Sequence, residues 1–294
     1  MVMERDFIGY GQNAPKVEWP NGERLAVSIV VNYEEGSEYS VLDGDSQGEG
    51  PSVVKPGDRD LYMESNFEYG SRAGVWRIFK ILDDYSVKST FFVCALALER
   101  NPDVAKEIVN RGHDIVGHGY RWEEYHSMDR ETEKKTISKA VESIQRTTGQ
   151  RPIGWYTRSS PSVNTRELLV EEGGFLYDCN SYADDIPFYA TVKDRKWLVV
   201  PYTLEVNDYQ FHQGLISRPS DFYEIMRSAF DRLYEEGATH PKMMSIGLHC
   251  RMVGRPARAL ALAQFLEYAK SKSGVWFAGR NEIANWWLNK YPSA

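Results

Sequence analysis

The chain has 294 residues, 42% of them hydrophobic and 26% charged, with a formal net charge of −7. That length can bury a large core without cross-links, and an acidic chain with no run of Lys or Arg excludes nucleic acid as an expected partner. Three scattered cysteines read as reduced thiols, no stretch nears the roughly 20 apolar residues of a membrane span, and no signal-peptide pattern opens the chain, so a cytoplasmic protein with no membrane partner is expected.

The first strand is predicted over residues 24–33, "RLAVSIVVNY", almost continuously apolar and so buried on both faces. A polar, Gly-rich loop follows over residues 34–60, starting from two carboxylates at the strand's end. Loops of that length are functional or disordered in compact domains, and this one is expected over or beside a site. Beyond it the chain alternates. Helix 73–86, strand 88–98, helix 101–112, strand 113–119 and helix 127–149 are followed by strand 151–157, helix 164–174 and strand 175–181. Strand 197–206, helix 220–237, strand 242–250, helix 258–271, strand 274–279 and helix 281–289 complete the series. Such alternation predicts an α/β fold, a distorted (β/α) barrel of about seven parallel strands, with residues 1–294 as one domain.

In such barrels the active site lies at the carboxyl ends of the strands. The polar groups expected there are Glu34 and Glu35, then His118 with Tyr120 and Arg121, then Trp155, Tyr156 and Arg158. Asp178, Asn180, Asn207, Asp208 and His249, which leads into Arg251, complete the set. Each taken singly reads equally well as hydrogen-bonded scaffolding or solvated surface. Two histidines and a carboxylate pair at the strand ends of one barrel make a constellation. Within "HGYRWEEYH" (residues 118–126), Trp122 stands where a metal-binding His-x-x-x-His would put its second imidazole.

At these residues the chain resembles the polysaccharide deacetylase family, whose members adopt a distorted (β/α) barrel. "NYEEG" (residues 32–36) stands where that family has Thr-Phe-Asp-Asp-Gly, "HGYRW" (118–122) where it has His-Ser/Thr-x-x-His, and "SIGLHC" (245–250) where it has its late histidine motif. In the family the first Asp is the base, and the second Asp with two histidines holds a divalent metal. Here Glu35 replaces the ligand aspartate and Trp122, which cannot ligate, replaces an imidazole. Open catalytic sites typically rely on three protein ligands, so tight metal binding is not expected. No cofactor is expected. If a metal such as zinc is present, it is weakly held, with Glu35, His118 and His126 as the candidate ligands.

"FEYGSRAGVWR" (67–77), "GWYT" (154–157), "VVPYTLEVND" (199–208) and "SIGLHCRMVGRP" (245–256) are similar to the allantoinase branch of this family. That resemblance implies hydrolysis of the cyclic amide of allantoin to allantoate, a small-molecule substrate and a homo-oligomer, specifically a tetramer. Opening a ring amide needs an activated water, a stabilised oxyanion and a proton for the leaving nitrogen. Glu34 or Glu35 is the expected base and His249 the acid. His118, Arg72 or Arg158 is the oxyanion donor, a role worth about 3 to 4 kcal/mol. Tyr156, Asn207 and Asp208 are expected to bind the ureido tail, with Trp122 as a wall against the flat ring. The alternatives are a cyclic imide hydrolase of the same branch, an N-deacetylase of acetylated sugars, and a non-catalytic ligand-binding barrel.

Overall fold

The computed structural model describes residues 5–50 and 53–293, so residues 51 and 52 of the long loop lie outside the described residues. The organising strand is β1 (Leu25–Tyr33), buried along its whole length. Its side chains alternate between two cores, as the two-residue period of a strand requires. Leu25, Val27, Ile29, Val31 and Tyr33 join the larger cluster against the helices, whereas Ala26 and Val30 join a second cluster on the opposite face of the sheet.

From β1 the chain continues through α1 (Leu61–Tyr69), α2 (Val75–Asp84), β2 (Thr90–Val93), α3 (Ala95–Arg100), α4 (Pro102–Asn110), β3 (Asp114–Gly117), α5 (Arg130–Thr148) and β4 (Gly154–Trp155). Then come α6 (Thr165–Glu172), β5 (Tyr177–Asp178), β6 (Phe188–Val192), β7 (Arg195–Val199), α7 (Pro219–Glu236), β8 (Lys242–His249), α8 (Pro256–Lys270), β9 (Val275–Phe277) and α9 (Arg280–Lys290). The sheet runs β6-β7-β5-β4-β3-β2-β1-β8, with β9 on β1. Every pairing is parallel except β6 with β7. β2 pairs with β1 over Val30–Tyr33 and β9 over Leu25–Val27. After β7 the chain crosses to the far edge of the sheet, where Asn207 bridges Gly247 of β8.

The structure departs from the sequence expectations in several places, and the strands expected over 151–157 and 175–181 hold only Gly154–Trp155 and Tyr177–Asp178. The strand expected over 88–98 ends at Val93, and α3 begins two residues later. The strand expected over 197–206 stops at Val199, because the chain must leave β5 to reach β8. β6 is an edge strand in a segment given no element, with Val192 buried and Phe188, Tyr189 and Ala190 half-buried against the core. Finally, α1 occupies a segment given no element, and a π-helical turn, Gly70–Gly74, joins it to α2. Both glycines of that turn are required by close approach. A Cβ on Gly70 would strike the Glu35 carboxylate, and one on Gly74 the Cys250 carbonyl. The turn thus brings helical backbone against the ends of β1 and β8. No helix among the described residues is long and apolar enough to cross a membrane, and all three cysteines are buried and unpaired.

Candidate active site

The alternation that sorts the two cores also decides which polar groups face the interior. Carried one residue past β1, the phase of Ala26, Ser28, Val30 and Asn32 puts Glu34 inside and Glu35 outside. The phase of Met243, Ser245 and Gly247 puts His249 inside, level with Asn32 in the register of β1 and β8. The interior phase of Val116, Leu198 and Val200 likewise selects His118 and Tyr202. Glu34, His118, Tyr156, Tyr202 and His249 accordingly line one cavity of about 480 Å³, together with Asn32, Trp122, Arg158, Tyr182 and Asn207.

Glu34 is the hub. Its Oε1 lies 3.3 Å from His118 Nε2 and 3.6 Å from His249 Nε2, and its Oε2 accepts from Arg251 Nη1 at 2.7 Å. Burial opposes the charge on Glu34, but Arg251, His249 and His118 outweigh it and hold the carboxyl well below the usual carboxylate range. His118 turns Nδ1 to the Tyr156 carbonyl at 2.9 Å, and a carbonyl only accepts, so that nitrogen carries a proton. His249 turns Nδ1 to Asp208 Oδ1 at 2.7 Å, leaving Nε2 as the nitrogen that faces the cavity. Burial works against the imidazolium of His249, yet Glu34 and Asp208 more than offset it and its pKa is raised.

Several expected roles are corrected by these placements. Glu35 faces away from the cavity and does not handle water there. Its Oε2 accepts from the Glu34 amide at 3.1 Å, its Oε1 from the Arg251 amide at 3.1 Å, and Gly70 packs against it. Burial raises the Glu35 carboxyl above its ordinary value; Arg251 pulls against that rise and Glu34 adds to it. Arg72 is not an oxyanion donor, because it projects outward with its side chain 80% exposed, beside Glu68. Asp208 is not available to a ureido tail. It is fully buried, its Oδ1 holds His249 Nδ1, and its Oδ2 accepts from the amides of His249 and Val253, both at 2.9 Å.

Trp122, Tyr156, Arg158 and Asn207 do line the cavity. Arg158 is tied to the long loop through Glu49, at 2.9 and 2.7 Å, and to the Trp122 carbonyl at 2.6 Å. Trp122 is a buried spacer between two cations, with Arg158 3.7 Å and Arg251 4.9 Å from its ring. The long loop therefore does lie beside the site. Asp178, by contrast, is spent on Arg166 and the Trp197 indole, at 2.6 Å each.

Asn32 and Tyr202 were not among the expected site residues. The Asn32 amide nitrogen donates to the Leu248 carbonyl at 3.1 Å and to Tyr202 Oη at 3.0 Å. Interior phase could have found both, since Asn32 lies two residues before Glu34 and Tyr202 two after buried Val200. Arg251 shares the phase of His249 and follows it in the expected set, but the partners of Arg251 and of Glu49 lie far away in the chain and carry no local signal.

The polysaccharide deacetylase family profile matches residues 56–171. A Schizosaccharomyces pombe relative described as a polysaccharide deacetylase is 39% identical, over 99% of both chains. The chain belongs to the polysaccharide deacetylase family. Among solved polysaccharide deacetylase relatives, a crystal structure of Puue allantoinase superposes with a TM-score of 0.94 at 47% identity, covering 99% of each chain. A Pseudomonas aeruginosa protein described as a polysaccharide deacetylase superposes with a TM-score of 0.93, also at 47% identity and 99% of each chain.

The divalent metal that the polysaccharide deacetylase resemblance implies does not fit the residues present. Glu35 directs both oxygens to protein N–H groups, and Trp122 offers no donor. His126 is exposed and outside the cavity lining. Glu34, His118 and His249 do come together, but Glu34 already carries the Arg251 guanidinium on its other oxygen, and among the described residues no group of three His, Cys, Asp or Glu side chains is placed to hold a metal ion. The expected alternative of Glu35, His118 and His126 is therefore not assembled. The positive charge beside the two glutamates is instead the guanidinium of Arg251, 2.7 Å from Glu34 Oε2 and 3.5 Å from Glu35 Oε1.

Proposed function

We propose that this chain opens the hydantoin ring of allantoin by hydrolysis to allantoate, without a tightly bound metal. The observation that carries the reading is Glu34 Oε1 set between the Nε2 atoms of His118 and His249 on the wall of a cavity of small-molecule size. Its likeness to a Puue allantoinase over 99% of both chains supports the choice of ring.

In this reading Glu34 orients the water and takes its proton, and the water oxygen attacks the ring carbonyl. Arg158 stabilises the oxyanion, joined by His118 in the form that carries a proton on Nε2 as well as on Nδ1. The ring C–N bond then breaks, with His249 Nε2 giving its proton to the leaving nitrogen, so the product carries a carboxylate and a free ureido N–H. The depressed pKa of Glu34 makes it a weak base, so orienting the water is its larger contribution.

The test is turnover of allantoin by the purified full chain before and after exhaustive chelation. Assays of acetate release from N-acetylglucosamine oligomers and of succinimide opening run beside it. Allantoin turnover that survives chelation, with no acetate released, is the expected result. Acetate release without ring opening would make the protein an N-deacetylase, and faster opening of succinimide a cyclic imide hydrolase. Activity lost on chelation and restored by zinc or manganese would overturn the metal-free step. In the same assay Arg72→Ala should stay within about threefold of the native rate, as for a surface substitution.

A further inference from the structure

We propose that the cleft between the first turn of α8 and the chain around Phe211 and His212 is a second binding site, for a small oxyanion bearing carboxylate or phosphate groups. The cleft has a volume of about 740 Å³, and His212, Arg251, Arg255 and Arg258 contribute to its wall. Among the described residues no Asp or Glu lines it, in a chain whose formal net charge is −7. An acidic protein that gathers guanidinium groups around a concavity and keeps carboxylates out has built a positive site.

The charge balance singles out two of the arginines. Arg251 is neutralised by Glu34 and Glu35. Arg255 and Arg258 form no ion pair among the described residues. Arg255 donates Nη2 to the neutral Asn66 Oδ1 at 2.7 Å and lies 3.7 Å from the Tyr69 ring centre. Arg258 lies 4.2 Å from the ring centre of Phe211. Burial works against the Arg258 charge and Arg255 repels it; Asp208 draws it the other way without restoring it to its usual value. Asp208 is already committed to His249.

Stacking on an aromatic face fixes each guanidinium plane in advance, so little side-chain freedom remains to be lost on binding. Each fork keeps unused N–H donors, and parallel N–H pairs match the paired oxygens of a carboxylate or phosphate. The cleft and the cavity of Glu34 and His249 have no lining residue in common, so the inference does not depend on the ring-opening reading.

The experiment is calorimetric titration of the full chain, at low ionic strength, with inorganic phosphate and separately with succinate. Wild type, Arg255→Gln and Arg258→Gln are compared. Saturable binding to wild type is expected, weakened about tenfold or more in each variant by loss of a charge-assisted pair, with unchanged melting temperatures. Tighter binding of phosphate than of succinate assigns the site to phosphate groups, and the reverse order to carboxylates. No saturable heat with either anion, or binding unaltered in both variants, overturns the proposal. So does sedimentation in which both variants dissociate to a smaller species than wild type, because the arginines would then be covered by a second copy of the chain.

Discussion

Alanine in place of His249 should lower allantoin turnover by about 10² to 10⁴, the usual worth of a positioned proton donor. Asp208 takes up Nδ1 and both its backbone and side-chain contacts fix the ring, so Nε2 alone can deliver a proton into the cavity. The pH profile provides the sharper check. An acid must be protonated to act, so kcat should fall as pH rises through a value above the ordinary histidine pKa of about 6.5. The same direction applies to stability. A raised pKa in the folded state stabilises the protein below the unfolded value, and that contribution is lost as pH rises through the folded one. Asp208→Asn removes one of the charges that raise the pKa, so its alkaline limb should move to lower pH. Steady-state kcat against pH, with circular dichroism to confirm folding, decides the matter. A His249→Ala rate within a few-fold of native, or an Asp208→Asn limb that does not move, would remove this acid from the mechanism.

Arg251→Met should destabilise the fold by about 3 to 5 kcal/mol at neutral pH, the cost of breaking a buried ion pair by deleting one partner. Met retains much of the packing against Phe67 and Trp122, which lie 4.3 and 4.9 Å from the guanidinium. What is lost is the cation beside two fully buried carboxylates. In the native protein the depressed pKa of Glu34 means a contribution to stability that is present above the unfolded carboxylate value and fades as pH falls through the folded one. Without Arg251 both carboxyls titrate upward, the sign reverses, and the variant should regain stability as the solution is acidified. Urea denaturation at pH 7 and pH 5 measures both effects. A loss below about 1 kcal/mol at neutral pH, typical of an ordinary substitution, would show that the guanidinium does not hold this pair together.

Much of the α/β fold was legible because a two-residue period and a 3.6-residue period leave different traces. β1 and β8 were read to within a residue or two at each end, since both faces of each are buried. α1 was not, because Phe67 is its only buried residue and Leu61 and Tyr62 are exposed, so no apolar stripe exists to find. His118 and His249 were legible as polar groups at strand ends. Which of Glu34 and Glu35 faces inward was also available, from the phase of Ala26 and Val30, although both were given the same task. The role of Asp208 was not available, because it is set by a contact with a histidine 41 positions later. The same holds for Arg251, whose carboxylate partners lie more than 200 positions earlier.

The amide of Asn32 has a directional consequence for whatever enters the cavity. A carbonyl oxygen cannot donate, so the contact with Leu248 fixes which end of the amide is nitrogen. Its other N–H then meets the Tyr202 oxygen, which must accept. No acceptor among the described residues takes the proton of that phenol, and burial keeps the proton on the oxygen. The hydroxyl is left as a one-way contact on the cavity wall, wired to give and not to receive. A carbonyl oxygen meeting it is welcomed, whereas an N–H in the same place finds a proton facing a proton. If the cavity takes a flat, amide-rich ring, as proposed, this hydroxyl favours the orientation that brings a carbonyl oxygen to it.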